Sequence, residues 1–363
     1  MRIPRTTDEI TPEWLTDALR AGGRLGDGRV DSVEFERIGV GLGFASLVAR
    51  GSVEYTGDSA GAPQTLVAKL PSGHAETDAL VTRMGLADRE VRFFRELGAD
   101  VGVPVPESYY ADSDLKTGDF VLLLEDLSGA RLGDQVNGCS PGDAELVVRN
   151  LARLHARWWD SDRLRRMDWL PNPAEPDASR RMRETYRSAW DRVSVTFGSA
   201  YPDGVYEIAD RFSACYEEIM RPLGESPITL IHGDCRLGNL FFRDNGGDAE
   251  VVSIDWQLAS FSRGATDLAY FFLISFPVEE RREREVSLLR LYHATLTEIG
   301  ISDYSYGQLS ADYRRGMFRF LNISVVATAN LDLDSEGGRV ILDAVIPRLA
   351  GLADWDCGAL IPD

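Results

Sequence analysis

His232-Gly233-Asp234-Cys235-Arg236-Leu237-Gly238-Asn239 is followed, fifteen residues after its last member, by Ile254-Asp255-Trp256-Gln257. Each stretch lies beside an apolar, strand-like run. Together they supply an Asp, an Asn five residues on, and a second Asp. Phosphoryl transfer from a nucleotide needs such a set: one carboxylate to accept the proton of an attacking hydroxyl, and an amide oxygen and a second carboxylate for the magnesium ions that bridge the phosphates. The order, base first and metal ligands after, is that of the catalytic loop and metal motif of kinases. Asp234 is therefore the candidate base, and Asn239 and Asp255 are the candidate magnesium ligands, oxygen donors being suited to a hard cation. A carboxylate is too weak a base to deprotonate an alcohol outright. Asp234 would orient the hydroxyl and take its proton late, as the P–O bond forms. His232 is expected to position the loop backbone. Cys235 sits among acids that raise a thiol pKa, which makes it a poor nucleophile.

Toward the N-terminus, Gly39, Gly41 and Gly43 form a glycine-rich turn between two strand-like runs. Residues without Cβ let a backbone approach phosphates closely. Phe44 stands where a G-x-G-x-x-G pattern would have its third glycine, and a plain hairpin turn fits the spacing equally well. No Gly-Lys-Ser/Thr follows, so this is not a Walker loop. Lys69 ends the strand-like run Leu66-Val67-Ala68. The chain has two lysines, Lys69 and Lys116, beside 37 arginines. A lysine kept against that bias points to a place where a compact ammonium serves and a guanidinium does not. Glu90, on the next helical stretch, is the expected partner of Lys69; Glu96, six residues on, faces another way.

Periodicity places a short helix at Thr11–Ala21 with Thr11 as N-cap. Strands are expected at Val33–Ile38, Leu47–Tyr55, Thr65–Leu70, Tyr109–Ala111 and Phe120–Leu124. The spacing of Leu80, Met84, Val91, Phe94 and Leu97 predicts one helix over Asp78–Leu97. After Glu125-Asp126-Leu127-Ser128-Gly129 the chain reads as mainly helical, with short strands at Thr229–Ile231, Leu240–Phe242 and Val251–Ile254. Asp267 opens a helix; it is both an acid favoured by the helix dipole and a candidate holder of the His232–Asp234 backbone. Five strands and one main helix, then a larger helical half, make a bilobal α+β plan. The expected division is 1–126 for an N-terminal nucleotide-binding lobe and 127–363 for a catalytic and acceptor-binding lobe.

A formal charge of −19 argues against nucleic acid or an anionic membrane surface as a partner. Four cysteines without a C-x-x-C pair fit reduced thiols and a cytoplasmic location better than a disulfide framework or a zinc site. The first residues lack the apolar core of a signal peptide. The longest apolar run, near Leu268–Phe276, is far short of a membrane span. Monomer and homodimer both remain open. Trp158, Trp159, Trp169, Tyr186 and Trp190 are assigned to core packing.

The set Lys69, Glu90, Leu122-Leu123-Leu124-Glu125-Asp126-Leu127, Leu151-Ala152-Arg153-Leu154-His155, the His-Gly-Asp loop and Ile254-Asp255-Trp256-Gln257 resembles the aminoglycoside phosphotransferase/choline kinase superfamily. The Asp-Trp-Gln wording and Thr266-Asp267-Leu268-Ala269-Tyr270-Phe271 are most similar to its ecdysteroid-kinase-like branch and related bacterial phosphotransferases. The resemblance spans about Phe35 to Leu296. It implies a protein-kinase-like fold, ATP (or GTP) with Mg2+, and transfer to the hydroxyl of a small molecule, an aminosugar or a steroid- or lipid-like alcohol. It implies further that Lys69 touches phosphates and that the backbone of Glu125, Asp126 and Leu127 is the adenine hinge. Trp256-Gln257 replaces the Phe-Gly of protein kinases, which tells against a protein substrate. A catalytically silent nucleotide-binding protein of the same fold, and an Asp-dependent phosphohydrolase, are the rival classes. The intact Lys69, Asp234, Asn239 and Asp255 set disfavours the first. The second would need neither Lys69 nor the glycine turn.

Overall fold

A computed structural model describes residues 1–39, 46–135, 138–330 and 345–362. The chain forms two compact units. The smaller comprises Met1–Arg131 with Val252–Leu258, and the larger Leu132–Val251 with Ala259–Asp363. The segment carrying Asp255 thus belongs with the N-terminal residues, although Asp234 is nearer in sequence.

In the smaller unit, helix α1 (Pro12–Ala21) starts as its sequence dictates: the Thr11 hydroxyl accepts from the Trp14 N–H, and Pro12 takes the first position. Strands β1 (Arg29–Arg37), β2 (Ser46–Thr56), β3 (Thr65–Pro71), β4 (Ser108–Asp114) and β5 (Asp119–Glu125) form one antiparallel sheet in the order β1-β2-β3-β5-β4. Alternation along β3 sends Leu66, Ala68 and Leu70 to one face, where they pack with Leu15, Ala18 and Leu19 of α1. Lys69 necessarily emerges on the other. Its register partners are Val48 on β2 and Leu122 on β5.

The single helix expected over Asp78–Leu97 is two helices. Helix α2 (Ala75–Arg83) stops before Gly85, whose φ of 63° is left-handed, and α3 (Leu86–Glu96) begins beyond it. A left-handed glycine terminates a helix at little cost, and apolar spacing alone does not register it. Helix α3 buries Glu90, Val91, Phe93 and Phe94.

The short strand β6 (Arg131–Leu132) carries the chain onward. The larger unit contains helices α4 (Pro141–Arg157), α5 (Asp162–Arg165), α6 (Pro176–Phe197), α7 (Val205–Met220), α8 (Ala265–Ser275), α9 (Val278–Ile299) and α10 (Tyr306–Ala329). Its short strands are β7 (Thr229–Ile231), β8 (Leu240–Asn245), β9 (Asp248–Ser253), which ends in the smaller unit, and β10 (Ser260–Ser262). Strand β7 pairs antiparallel with β10 and runs directly into His232. Helix α8 is buried nearly all round, as its apolar composition requires. It lies close against α10: a Cβ on Gly316 would meet the Thr266 Cα at 3.0 Å. Trp158, Tyr186 and Trp190 are core residues, as expected, whereas Trp159 and Trp169 are only half-buried. Among the described residues no helix is long and apolar enough to cross a membrane.

Candidate active site

In the smaller unit the Lys69 ammonium lies between two carboxylates. It donates to Glu90 Oε2 at 2.6 Å and to Asp255 Oδ1 at 2.9 Å. Strand β3 supplies the lysine, α3 the glutamate, and the segment after β9 the aspartate. Glu96 pairs instead with Arg92, one helical turn back. Burial works against the Lys69 charge, but Asp255 and Glu90 more than offset it, so its pKa is raised and it stays an ammonium. Burial raises the Glu90 pKa and Asp255 adds to the rise, while Lys69 pulls the other way.

Asp255 has a φ of 65°, a left-handed conformation unfavourable for a residue with a Cβ. Packing next door holds it there. The buried Trp256 ring stacks on Phe93 at 4.1 Å between centroids and donates its indole N–H to the Ser253 carbonyl. Arg89 donates to the Gln257 carbonyl at 2.7 Å. The Gln257 amide donates to Asp255 Oδ2 at 3.3 Å, so both carboxylate oxygens of Asp255 have a donor.

In the larger unit the loop after β7 is built around Asp267. Its buried carboxylate accepts the backbone N–H groups of His232 at 2.7 Å and Gly233 at 2.9 Å. His155, fully buried on α4, contacts Asp267 through Nε2 at 3.3 Å and the Tyr292 hydroxyl through Nδ1 at 2.8 Å. Since a carboxylate only accepts, His155 Nε2 carries a proton in this contact. Gly264 permits this approach: a Cβ there would strike Tyr292 Oη and His155 Nδ1 at 2.5 and 2.6 Å. His232 turns its ring back so that Nδ1 accepts the Asp234 N–H at 3.2 Å. It braces the backbone, as its place in the motif leads one to expect.

Asp234 is thereby held with both carboxylate oxygens engaged. The Tyr270 hydroxyl donates to Oδ1 at 2.7 Å, and Asn239 Nδ2 donates to Oδ2 at 2.9 Å. Arg236 Nε reaches Oδ2 at 3.4 Å. Asn239 Nδ2 also donates to the Asp234 carbonyl at 3.0 Å. Two acceptors at one end of the Asn239 amide identify that end as nitrogen, which presents the amide oxygen at the other. Burial pushes the Tyr270 phenol pKa well up, and Asp234 adds to the rise, so the phenol is a permanent donor. Burial, with Asp267 and Asp234, likewise pushes the Cys235 thiol well above its ordinary value. A nucleophilic thiolate is not available there.

Five of the sequence-derived candidates thus fall into assembled groups: Lys69, Glu90 and Asp255 in one unit, Asp234 and Asn239 in the other. Gly39 has a φ of 66° and open space where a Cβ would point; Gly41 and Gly43 lie outside the described residues. In the hinge candidate, the Glu125 N–H donates to the Glu107 carbonyl. Asp126 pairs with Arg50 at 3.1 Å, and Leu127 is buried with its carbonyl accepting the Ala130 N–H. Tyr270 was missed as a site residue. It stands three positions after Asp267, on the same face of α8, a spacing that could have flagged it.

Residues 40–302 match the model of the Ecdysteroid kinase-like family. No curated protein matches the chain in sequence. Among solved structures, an ethanolamine kinase of Plasmodium vivax is 14% identical with a TM-score of 0.56, the match covering 92% of this chain and 85% of that one. A choline kinase of Cryptosporidium parvum is 13% identical with a TM-score of 0.54, over 90% and 91%. A macrolide 2'-phosphotransferase of Brachybacterium faecium is 17% identical with a TM-score of 0.50, over 92% and 98%. The match extends over nearly the whole of each chain. At such identities it establishes the protein-kinase-like fold, with its antiparallel N-terminal sheet and larger helical part, and nothing about the acceptor.

Proposed function

The chain belongs to the ecdysteroid kinase-like family, and from that premise we propose that it transfers the γ-phosphoryl group of ATP (or GTP) to a hydroxyl of a small molecule, with magnesium. The observation that carries this reading is the Lys69 ammonium held between Glu90 and Asp255. One carboxylate keeps the lysine charged and extended, and the other is an oxygen ligand for a hard cation. That arrangement suits the phosphates of a nucleotide and the metal that accompanies them.

The donor set fits magnesium. Asp255 offers carboxylate oxygen and Asn239 its amide oxygen, the amide nitrogen being spent on Asp234. Among the described residues no three His, Cys, Asp or Glu side chains gather into a metal cage. Magnesium, which is bound through one or two protein oxygens plus phosphates and water, does not require one. Bound there it would neutralise charge on the transferring phosphoryl group. Asp234 would orient the acceptor hydroxyl and receive its proton. The known acceptors of proteins with this fold are diverse, and fold alone does not choose between an aminosugar and a lipid-like alcohol.

The test is MgATP turnover against a panel of hydroxylated compounds, with ADP and phosphorylated product both measured. Product formation that requires magnesium is the expected result; phosphate release from monoesters without ATP would instead establish a hydrolase. In the same assay Asp255→Ala is expected to weaken nucleotide binding in magnesium by at least about tenfold. Calorimetry giving equal affinity with and without magnesium in the parent protein would remove Asn239 and Asp255 from the metal site.

Tyr270→Phe deletes one donor to the base. A hydrogen bond to a charged group is worth about 1.5–3 kcal/mol, so kcat is expected to fall by about tenfold or more with the KM for MgATP unchanged. A loss confined to kcat, with the KM for MgATP and the Tm of the parent kept, is the outcome that loss of packing alone would not produce.

A further inference from the structure

Beside the Asp234 loop lies a guanidinium that the roles above leave unused. Arg319 is on α10, between two residues that face α8. Gly316 abuts Thr266 and Ala269, and the Phe320 ring meets the Tyr270 ring at 5.5 Å between centroids. Position 319 adjoins that face, and Tyr270 leads directly to Asp234. Asp267, Tyr216, Tyr270 and Asp234 are all within electrostatic reach of Arg319. Yet among the described residues Arg319 forms no hydrogen bond or ion pair, and its Nε is closed off from solvent. Burial, the largest influence on it, lowers its pKa.

A desolvated guanidinium with unused donors costs free energy unless an oxyanion arrives to meet it. The side chain as a whole is only half-buried, so it can be reached. Four and seven residues further along α10, Ile323 and Val326 are half-buried as well and form an apolar stripe on the same side. An acceptor ammonium, which only donates, cannot meet the unused guanidinium donors. An acceptor carboxylate can, with an apolar chain lying along the stripe.

We infer that Arg319 receives a carboxylate of the acceptor, so that the molecule phosphorylated is a hydroxylated organic acid with an apolar body and not an amino alcohol or aminosugar. This rests on the phosphotransferase reading. The same oxyanion chemistry could come from the phosphoryl group in transit, and the experiment separates the two sources.

Linear hydroxycarboxylic acids of graded length and their matched primary amides are compared as acceptors for the parent protein, Arg319→Gln and Arg319→Lys. The parent is expected to prefer acid over amide by about 10–100-fold in kcat/KM, the worth of a hydrogen bond to a charged group. Arg319→Gln should abolish the preference through KM, and Arg319→Lys should restore part of it. Relief of an unpaired buried cation should leave the Tm of Arg319→Gln undiminished. A clear fall in Tm would make Arg319 structural support and overturn the proposal. Equal losses with acid and amide, together with slower acceptor-free hydrolysis, would assign Arg319 to the phosphoryl group. A parent that prefers amides, amino alcohols or aminosugars would overturn it too.

Calorimetry with the same acids beside a nonhydrolysable ATP analogue needs no turnover. Carboxylate binding lost in Arg319→Gln, without phosphorylation in the parent, would sink the phosphotransferase reading and keep the Arg319 site. Phosphorylation with undiminished carboxylate binding by Arg319→Gln would do the reverse.

Discussion

Asp234→Asn is expected to reduce phosphoryl transfer by about 100–10,000-fold, the usual contribution of a positioned general base, while affinity for MgATP stays within a factor of two or so of the parent. The asymmetry follows from geometry. Asp234 accepts from Tyr270 and Asn239, while Lys69, Glu90 and Asp255 bond to one another. An asparagine fills the same volume but cannot take the proton of an attacking hydroxyl. Single-turnover rates with saturating nucleotide measure the chemical step, and calorimetry measures binding. Transfer at the parental rate by Asp234→Asn would show that another group is the base.

The second large effect is on stability. In Asp267→Ala, the N–H groups of His232 and Gly233 and the Nε2–H of His155 lose a common acceptor in a fully buried place. Removing one partner from such a buried arrangement costs about 3–5 kcal/mol, a large share of the roughly 5–15 kcal/mol that holds a folded protein together. The effect has a pH signature. Burial tends to raise the Asp267 pKa, but the hydrogen bond and charge of His155, with His232 and the Gly233 N–H, outweigh it and leave the carboxyl below its ordinary value. A carboxyl whose pKa is lower folded than unfolded stabilises the fold above the unfolded pKa of about 3.9. That stabilisation is lost as the pH falls through the folded pKa. Urea unfolding of the parent and of Asp267→Asn should therefore give a difference that is constant near neutrality and shrinks below about pH 4. A difference that widened in acid would contradict the carboxylate's part in holding the loop.

Some of this was legible in the chain because it is local. Thr11 and Pro12 start a helix wherever the chain goes, and the Leu66–Leu70 alternation puts Lys69 on the face opposite the α1 core. Asp234 and Asn239 lie on one short loop, where five residues' separation lets one side chain reach the other. Glu90 was preferred over Glu96 from helix geometry, and it is the one that meets Lys69. The break at Gly85 was not legible, because apolar spacing continues across it while the backbone does not. The part Tyr270 plays is not local to its motif, since the acid it serves lies 36 residues away.

By itself, then, the sequence determined the kinds of atom available for chemistry and the turns and caps that present them, because those depend on residues a few positions apart. Tertiary structure alone decided which distant groups meet. It set Asp255 against Lys69, 186 residues away, brought Asp267 under the His232–Gly233 backbone, and left the Arg319 Nε buried with no hydrogen-bond partner among the described residues. Contacts of that kind are selected by how whole helices and strands pack, and the cost of a buried charge is settled only when its surroundings are complete.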